Sequence, residues 1–445
     1  MTAVPPPGNE SPGATLPADA TQHPEGLAAR RELRNSRIRG VTFLALALVA
    51  MGLATSSFET PALFSFWIDR QGGESANLGT TVGVLWIVAA VASAIVGFLQ
   101  LLRGAAFRWR PWSLILVVPY IAVILAALLE GTPANLTRVI GGSLELAVPI
   151  SMGALAGLLS ERSGMLNIAL EGKMLVGACV AAVAASVALL ATGNALLSTL
   201  IGIAAAMTAS GALGVLLAWL GIRHKVDQII AGTVVNIGAV GITNFLFLRV
   251  LGANPELNTP PTVAPWRLPF LSEIPVLGPM LFSLRPYVYV GIVMVIVLTY
   301  LIYRTRWGLR LRASGEKPQA AGTVGINVLQ IRYRALLIAG LISGLAGSYL
   351  SLATAGSFQM QMTAGKGFIA LAAVIFGAWH PVGAFAAAFV FGFADSAQAL
   401  LSILGSDVPP QLLNSVPYII TIVVVAGVVG RVRGPAAAGQ PYEQG

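Results

Sequence analysis

Charge is scarce in this sequence: 10% of its 445 residues are Asp, Glu, Lys or Arg, against about 25% in a typical soluble domain. With 56% hydrophobic residues, a water-exposed fold of this size would be left with apolar surface it cannot cover. The single cysteine, Cys179, excludes an intramolecular disulfide; it lies in an apolar run and reads as a small buried hydrophobe. Three histidines leave little material for a metal site or a catalytic triad. The chain has no H-E-x-x-H, no G-x-S-x-G and no G-x-x-x-x-G-K-[ST]. Gly172-Lys173 and Gly365-Lys366 lack the spacing and the Ser or Thr of a phosphate loop. These absences argue against an enzyme, a resident metal or cofactor, and ATP hydrolysis by this chain.

What is present is a bilayer sequence. Apolar segments recur at 41–57, 79–102, 112–129, 139–160, 173–192, 195–221, 228–251, 287–303, 335–356, 367–380, 381–403 and 415–430. Most approach the about 20 residues that a helix needs to span the hydrocarbon core. Helices are required, because lipid leaves unpaired backbone groups unsatisfied. The 49 glycines suit close helix packing in lipid. The excess of 27 Lys and Arg over 18 Asp and Glu sits in alternate connections: Arg30 to Arg39, Arg103 to Arg110, Arg223 to Lys225, Arg304 to Arg334, and Arg431 to Arg433. Basic residues favour the cytoplasmic side, so both termini are expected in the cytoplasm of a multi-pass plasma-membrane protein. Charge spread in this way needs no nucleic acid. The expected fold is all-α and polytopic, with about 10–12 transmembrane helices, some interrupted or re-entrant, in two pseudo-repeated halves. The 14 residues of 367–380 are short for a crossing and fit a half-helix.

Three regions break the apolar pattern. In the first, Glu161, Arg162, Ser163, Asn167, Glu171 and Lys173 crowd between two spans around Met165-Leu166-Asn167-Ile168-Ala169-Leu170. A hydrated loop has no use for that apolar stretch, whereas broken helices lining a cavity do. Gly164 and Gly172 bracket one or two helical turns, and Glu161 with Arg162, and Glu171 with Lys173, are natural pairs. A simple solvated loop is the plainer alternative. The second region, 304–334, is basic yet has an apolar side; Pro318 can open a short helix and Gly325 can close it. Such a helix either lies in the lipid interface or docks into a partner. In the third, Gly365-Lys366-Gly367 opens another short apolar helix, followed by Gly377 to Gly383 with His380, which beside a proline reads as a helix-end residue rather than a metal ligand or proton carrier. Two Gly-interrupted segments in corresponding positions point to a midplane solute route, and 161–173 is expected to face 363–373.

Asn236 and Asn244 lie near two turns apart and share a helix face. With Asn167, Phe358, Gln359 and Gln361 they could offer amides and an aromatic face to a solute, or they could join helices. Glu145 and Asp395 are the deep carboxylates that an ion-coupled carrier would need.

The run from Glu161 to Gly172 resembles the signature of permease subunits of bacterial ABC importers for nucleosides and simple sugars, in the broad group with ribose and branched-chain amino-acid permeases. Gly308 to Ala313 with Gly315, Glu316, Gly325 and Ile326, Gly365 to Ala372, and Pro417-Tyr418 are similar to further parts of that family. The resemblance covers roughly 140 to 430. It implies a coupling helix of the pattern Glu-Ala-Ala, three residues, Gly; here Gln319-Ala320-Ala321 and Gly325 keep the spacing with Gln for Glu, and Gly315 and Glu316 precede them. It also implies an ATPase subunit that binds ATP, a second permease copy or relative, and an extracytoplasmic solute-binding lipoprotein. The translocation path or gate would then involve Glu161, Arg162, Ser163, Asn167, Glu171, Asn236, Asn244, Phe358, Gln359, Gln361 and Lys366. The chain divides into a disordered cytoplasmic tail (1–39, structureless over 1–29), extra N-terminal spans (40–135), a permease core (136–430, with its coupling loop at 304–334) and a cytoplasmic tail (431–445). The alternative reading is a stand-alone ion-coupled secondary transporter.

Overall fold

The computed structural model describes residues 24–67, 75–104, 134–403 and 434–442, with isolated positions between 105 and 133 and at 415. Helix α1 (Pro24–Ser56) includes residues 24–29, where no structure was expected. Short strands β1 (Pro61–Trp67) and β2 (Ser75–Thr81) precede helix α2 (Val82–Arg103), and β3 (Ala134–Asn135) completes a three-stranded sheet of order β2-β1-β3. Then follow α3 (Leu136–Arg162), α4 (Leu170–Thr192), α5 (Ala195–Ile222), α6 (Gln228–Leu246), α7 (Pro286–Arg304), α8 (Arg306–Glu316), α9 (Pro318–Thr323), α10 (Val328–Tyr349), α11 (Lys366–Phe376) and α12 (Pro381–Ile403). Wider π-turns extend α6 through Phe247–Leu251 and α10 through Leu350–Ala355.

Among the described residues, nine helices are long and apolar enough to cross a membrane: α1, α2, α3, α4, α5, α6, α7, α10 and α12. The chain is an all-α, multi-pass membrane protein. Nine of the twelve apolar segments are these helices. Segments 112–129 and 415–430 lie, apart from isolated positions, outside the described residues, and 367–380, expected to be a half-helix, resolves into α11, only 11 residues long, and a turn. Eleven residues rise about 16 Å, half the hydrocarbon thickness.

The chain forms two compact units, residues 1–63 with 78–134, and residues 64–77 with 135–445. Within the first, α1 and α2 pack through Gly40 and Gly97, and Gln100 Nε2 donates to Ser36 Oγ at 2.6 Å. The second is built around α10, which packs on α5, α4 and α3. Its Gly340 and Gly344 approach α5 so closely that a Cβ would overlap the Ser210 and Ala206 carbonyl oxygens; Gly347 meets the Met174 carbonyl of α4 in the same way. Small residues at such spacing are how helices associate in lipid, where apolar side chains gain nothing by leaving the solvent. Outward-facing positions remain apolar: Ile237 of α6 is 67% exposed and Leu196 of α5 71%.

Candidate functional site

The helix breaks come together at one place. Residues 163–169 between α3 and α4 are irregular, and Gly172 lies inside α4 rather than closing a short helix of its own. Gly164 turns the chain at φ +92°, a left-handed value suited to glycine. The second break, 356–365, contains Gln361 and Ala364 at positive φ and ends on Gly365 at φ +80°. Non-glycine residues in that region store strain and persist only where the surroundings fix them.

Glu171 does the fixing. Its carboxylate accepts from Gly365 N at 2.9 Å and Gly367 N at 2.6 Å, capping the N-terminus of α11 with a negative charge. The approach is so close that a Cβ on Gly367 would stand 2.5 Å from the Glu171 backbone. The segments expected to face one another, 161–173 and 363–373, are therefore in direct contact.

The expected pairs Glu161–Arg162 and Glu171–Lys173 do not form. Neighbours one or two positions apart on a helix do not face each other, and each side chain has another partner. Glu161 Oε2 accepts from Trp379 Nε1 at 2.5 Å. Arg162 donates to the Trp379 carbonyl at 2.9 and 3.1 Å and to Tyr303 Oη at 3.2 Å, with Glu316 at 4.0 Å. These contacts hold Ala378 and Trp379 at φ +53° and +52° in the turn between α11 and α12. His380 stacks on Tyr303 with centroids 4.9 Å apart. Burial, then the nearby Arg162 charge, lowers its basicity.

Beneath this layer Lys173 is wholly buried and donates to Asn167 Oδ1 at 2.6 Å, while Asn167 Nδ2 donates to Ser160 Oγ at 2.9 Å. Asn236 accepts from Gly172 N at 2.8 Å and donates to the Ile168 carbonyl at 2.9 Å, stapling the α3–α4 connection to α6. Ser163 is buried, its hydroxyl on the Ser160 carbonyl and its carbonyl accepting from Ser314 Oγ at 3.0 Å.

Asn167, within this cluster, and Phe358 have no exposed surface; Phe358 packs edge-on to Phe247 and presents no face to a solute. Asn244 is half-buried, and among the described residues its Oδ1 has no hydrogen-bond partner. Gln359 and Gln361 are exposed and Lys366 is half-buried at the opening of α11. Of the coupling residues, Gln319, Ala320 and Gly325 are exposed, whereas Gly315 and Ala321 are buried. Gly315 lies against the Arg162 carbonyl, where a Cβ would overlap it, and so forms part of the support rather than the surface. Thr323 and Val324, the latter 74% exposed, complete the outer side of α9 and its end. Glu145 is paired with Arg285 and lines a cleft of about 480 Å³ with Thr137, Arg138 and Pro279.

Sequence reasoning passed over Trp379 and Arg332. The signal for Trp379 is an indole between a glycine and a proline that break two helices; by sequence Arg332 is only one more positive charge of the basic connection 304–334.

The family described as branched-chain amino acid transport system / permease component matches residues 139–426. Among curated relatives, the guanosine ABC transporter permease protein NupQ of Bacillus subtilis is 37% identical over 317 residues, 70% of this chain and 98% of that protein. The nucleoside ABC transporter permease protein NupC of Lactococcus lactis is 34% identical, over 69% of this chain and 97% of its own length. The putative glucose ABC transporter permease protein TsgC13 of Haloferax volcanii is 32% identical, over 68% and 97%. No solved structure matches the chain significantly.

Proposed function

The chain belongs to the branched-chain amino acid transport system / permease component family, and from that premise we propose that it carries a nucleoside, or failing that a simple sugar, into the cytoplasm. It is the membrane-spanning permease of an ABC importer, and such permeases work with an ATPase and a solute-binding protein. The substrate class rests on the relatives, whose names specify guanosine, nucleosides and glucose. The observation in this molecule that carries the transport reading is the Glu171 bond to Gly365 and Gly367, which joins two interrupted helices inside the bundle. Broken helices at membrane depth belong to proteins that pass polar solutes.

In this reading Glu161, Arg162, Glu171 and Asn236 belong to the gate, through the contacts that hold α4, α11 and the Trp379 turn in one arrangement, and Lys366 stands with them at the opening of α11. Asn244, Gln359 and Gln361 remain candidates for meeting the solute. Gln319, Ala320 and Gly325 offer a small-residue surface to the ATPase, which binds ATP and supplies the energy. A second permease, identical or related, and an extracytoplasmic lipoprotein complete the assembly, and both termini face the cytoplasm. Glu145 is already matched by Arg285, which removes one of the two deep carboxylates that an ion-coupled carrier would need; Asp395 of α12 is the other.

The test is uptake of tritiated guanosine, uridine and glucose into proteoliposomes holding the complete complex. ATP-dependent uptake of a nucleoside is expected; uptake without ATP, driven by an ion gradient, would overturn the reading.

A further inference from the structure

The C-terminal residues 434–442 are folded onto the permease. Ala437 N donates to the Gly315 carbonyl at 2.9 Å and Gly439 N donates to the Gly164 carbonyl at 3.2 Å. The two acceptors belong to different elements, the end of α8 and the α3–α4 connection, so the tail stitches them together. Ala437 is 3% exposed, which is seating and not grazing contact. Further along, Tyr442 reaches α9: a Cβ on Gly322 would overlap its hydroxyl.

Arg332 of α10 is the bolt. It is 1% exposed; its Nη1 donates to the Gln440 carbonyl at 3.1 Å, and the guanidinium lies 5.9 Å from the centre of the Tyr442 ring. Among the described residues its Nε and Nη2 have no hydrogen-bond partner. The Nη2 atom also closes on the first helix break, where a Cβ at Gly164 would stand 2.8 Å from it. A buried guanidinium held by one carbonyl and one aromatic face is costly, and packing alone would be better served by an apolar side chain. The tail lies beyond residues 139–426, the part of the chain that matches the family model.

We propose that residues 434–442, locked by Arg332, are an intramolecular strap that positions α8 and α9 against the α3–α4 connection and so presents a rigid α9 to the ATPase subunit. Arg332 is a positioning residue: it touches neither solute nor ATPase, and it acts through Gln440, Tyr442 and Gly164. The proposal rests on the assignment of α9 to ATPase contact made above.

The experiment is affinity purification of the whole complex through the permease, measuring ATPase subunit retained per permease. The variants are a chain truncated after Arg433, Arg332→Met, Arg332→Lys and, as a separate control, Ala320→Asp. Truncation and Arg332→Met should each lower retention about tenfold, about 1.4 kcal/mol of association, with permease in the membrane unchanged. Arg332→Lys keeps a cation and a donor for the Gln440 carbonyl and should recover most of the loss, which a purely space-filling role would not predict. If Arg332→Met fails to accumulate, the truncation decides alone. Full retention by the truncated chain, with Ala320→Asp still releasing the ATPase, overturns the strap and leaves the role of α9 standing. Full retention by both overturns the role of α9 and the strap with it.

Discussion

Glu171 on α4 and Gly367 on α11 are joined by a 2.6 Å hydrogen bond from the glycine amide to the carboxylate, 196 positions apart in the sequence. The carboxylate charges the N-terminus of a helix too short to span the membrane, and the glycine lets the backbones meet. One residue thus fixes the start of α11, and through it the turn at Trp379.

Replacing Glu171 should therefore disturb the gate more than the fold. Glu171→Gln keeps size and one acceptor oxygen but loses the charge that two amides and the helix dipole share, worth about 1–3 kcal/mol. ATP-dependent uptake is expected to fall about tenfold or more, with normal amounts of complex in the membrane. A solvated-loop role for Glu171 would leave uptake unchanged.

Gly367→Ala should be worse than Gly365→Ala in folding. The added methyl at 367 would sit 2.5 Å from the Glu171 backbone, with no flexible atom to yield, whereas nothing stands within 4 Å of a Cβ at 365 and only its φ of +80° is offended. Left-handed strain in a non-glycine residue costs about 1–2 kcal/mol. Detergent-solubilised Gly367→Ala is expected to melt lower than Gly365→Ala; the reverse order would contradict the close approach.

Asn167 and Lys173 should behave as a coupled pair. Asn167→Ala removes the acceptor from a buried ammonium and is expected to cost about 2–3 kcal/mol. In an Asn167→Ala/Lys173→Met background the penalty should largely disappear, because no charge remains to be satisfied. Thermal unfolding of the four proteins measures the coupling; additive losses would show that the two side chains do not act together.

Topology can be read from two highly exposed positions, with buried Cys179 as a silent background. Phe270, 85% exposed, lies in the connection before α7, and Val324, 74% exposed, follows α9. With an impermeant maleimide on intact cells, Phe270→Cys should label and Val324→Cys should label only after permeabilisation. Labelling of Val324→Cys from outside would invert the proposed orientation. Ser314 would be a poor probe for the same loop, since it is buried against the Ser163 carbonyl.

Ala320 and Ala321 separate surface from support. Ala320 is exposed and Ala321 is 4% exposed. Ala320→Asp should abolish uptake while the permease inserts at its normal level, and Ala321→Asp should reduce the amount of folded permease itself. Equal loss of protein in both would mean that α9 has no outer face to offer.

The sequence by itself determined the solvent, the class of fold and the places where helices break. Scarce charge and repeated apolar runs require a bilayer, and in a bilayer the backbone must be helical. Gly164, Gly365 and the charges beside them mark the interruptions, because charged groups clustered beside a glycine cannot face lipid. Pro318 and Gly325 similarly bound α9. Which group each charge meets was decided only by tertiary structure. Glu161 and Arg162 turn to Trp379, Glu171 to Gly365 and Gly367, and Arg332 to Gln440 and Tyr442. A buried ion or amide must be satisfied by whatever the packed helices bring within about 3 Å, and that depends on how α3, α10 and α11 cross. Local spacing suggested the nearest opposite charges; the low dielectric of the interior rewards geometry instead, and the partners it selected lie on other elements, most of them more than 100 residues away.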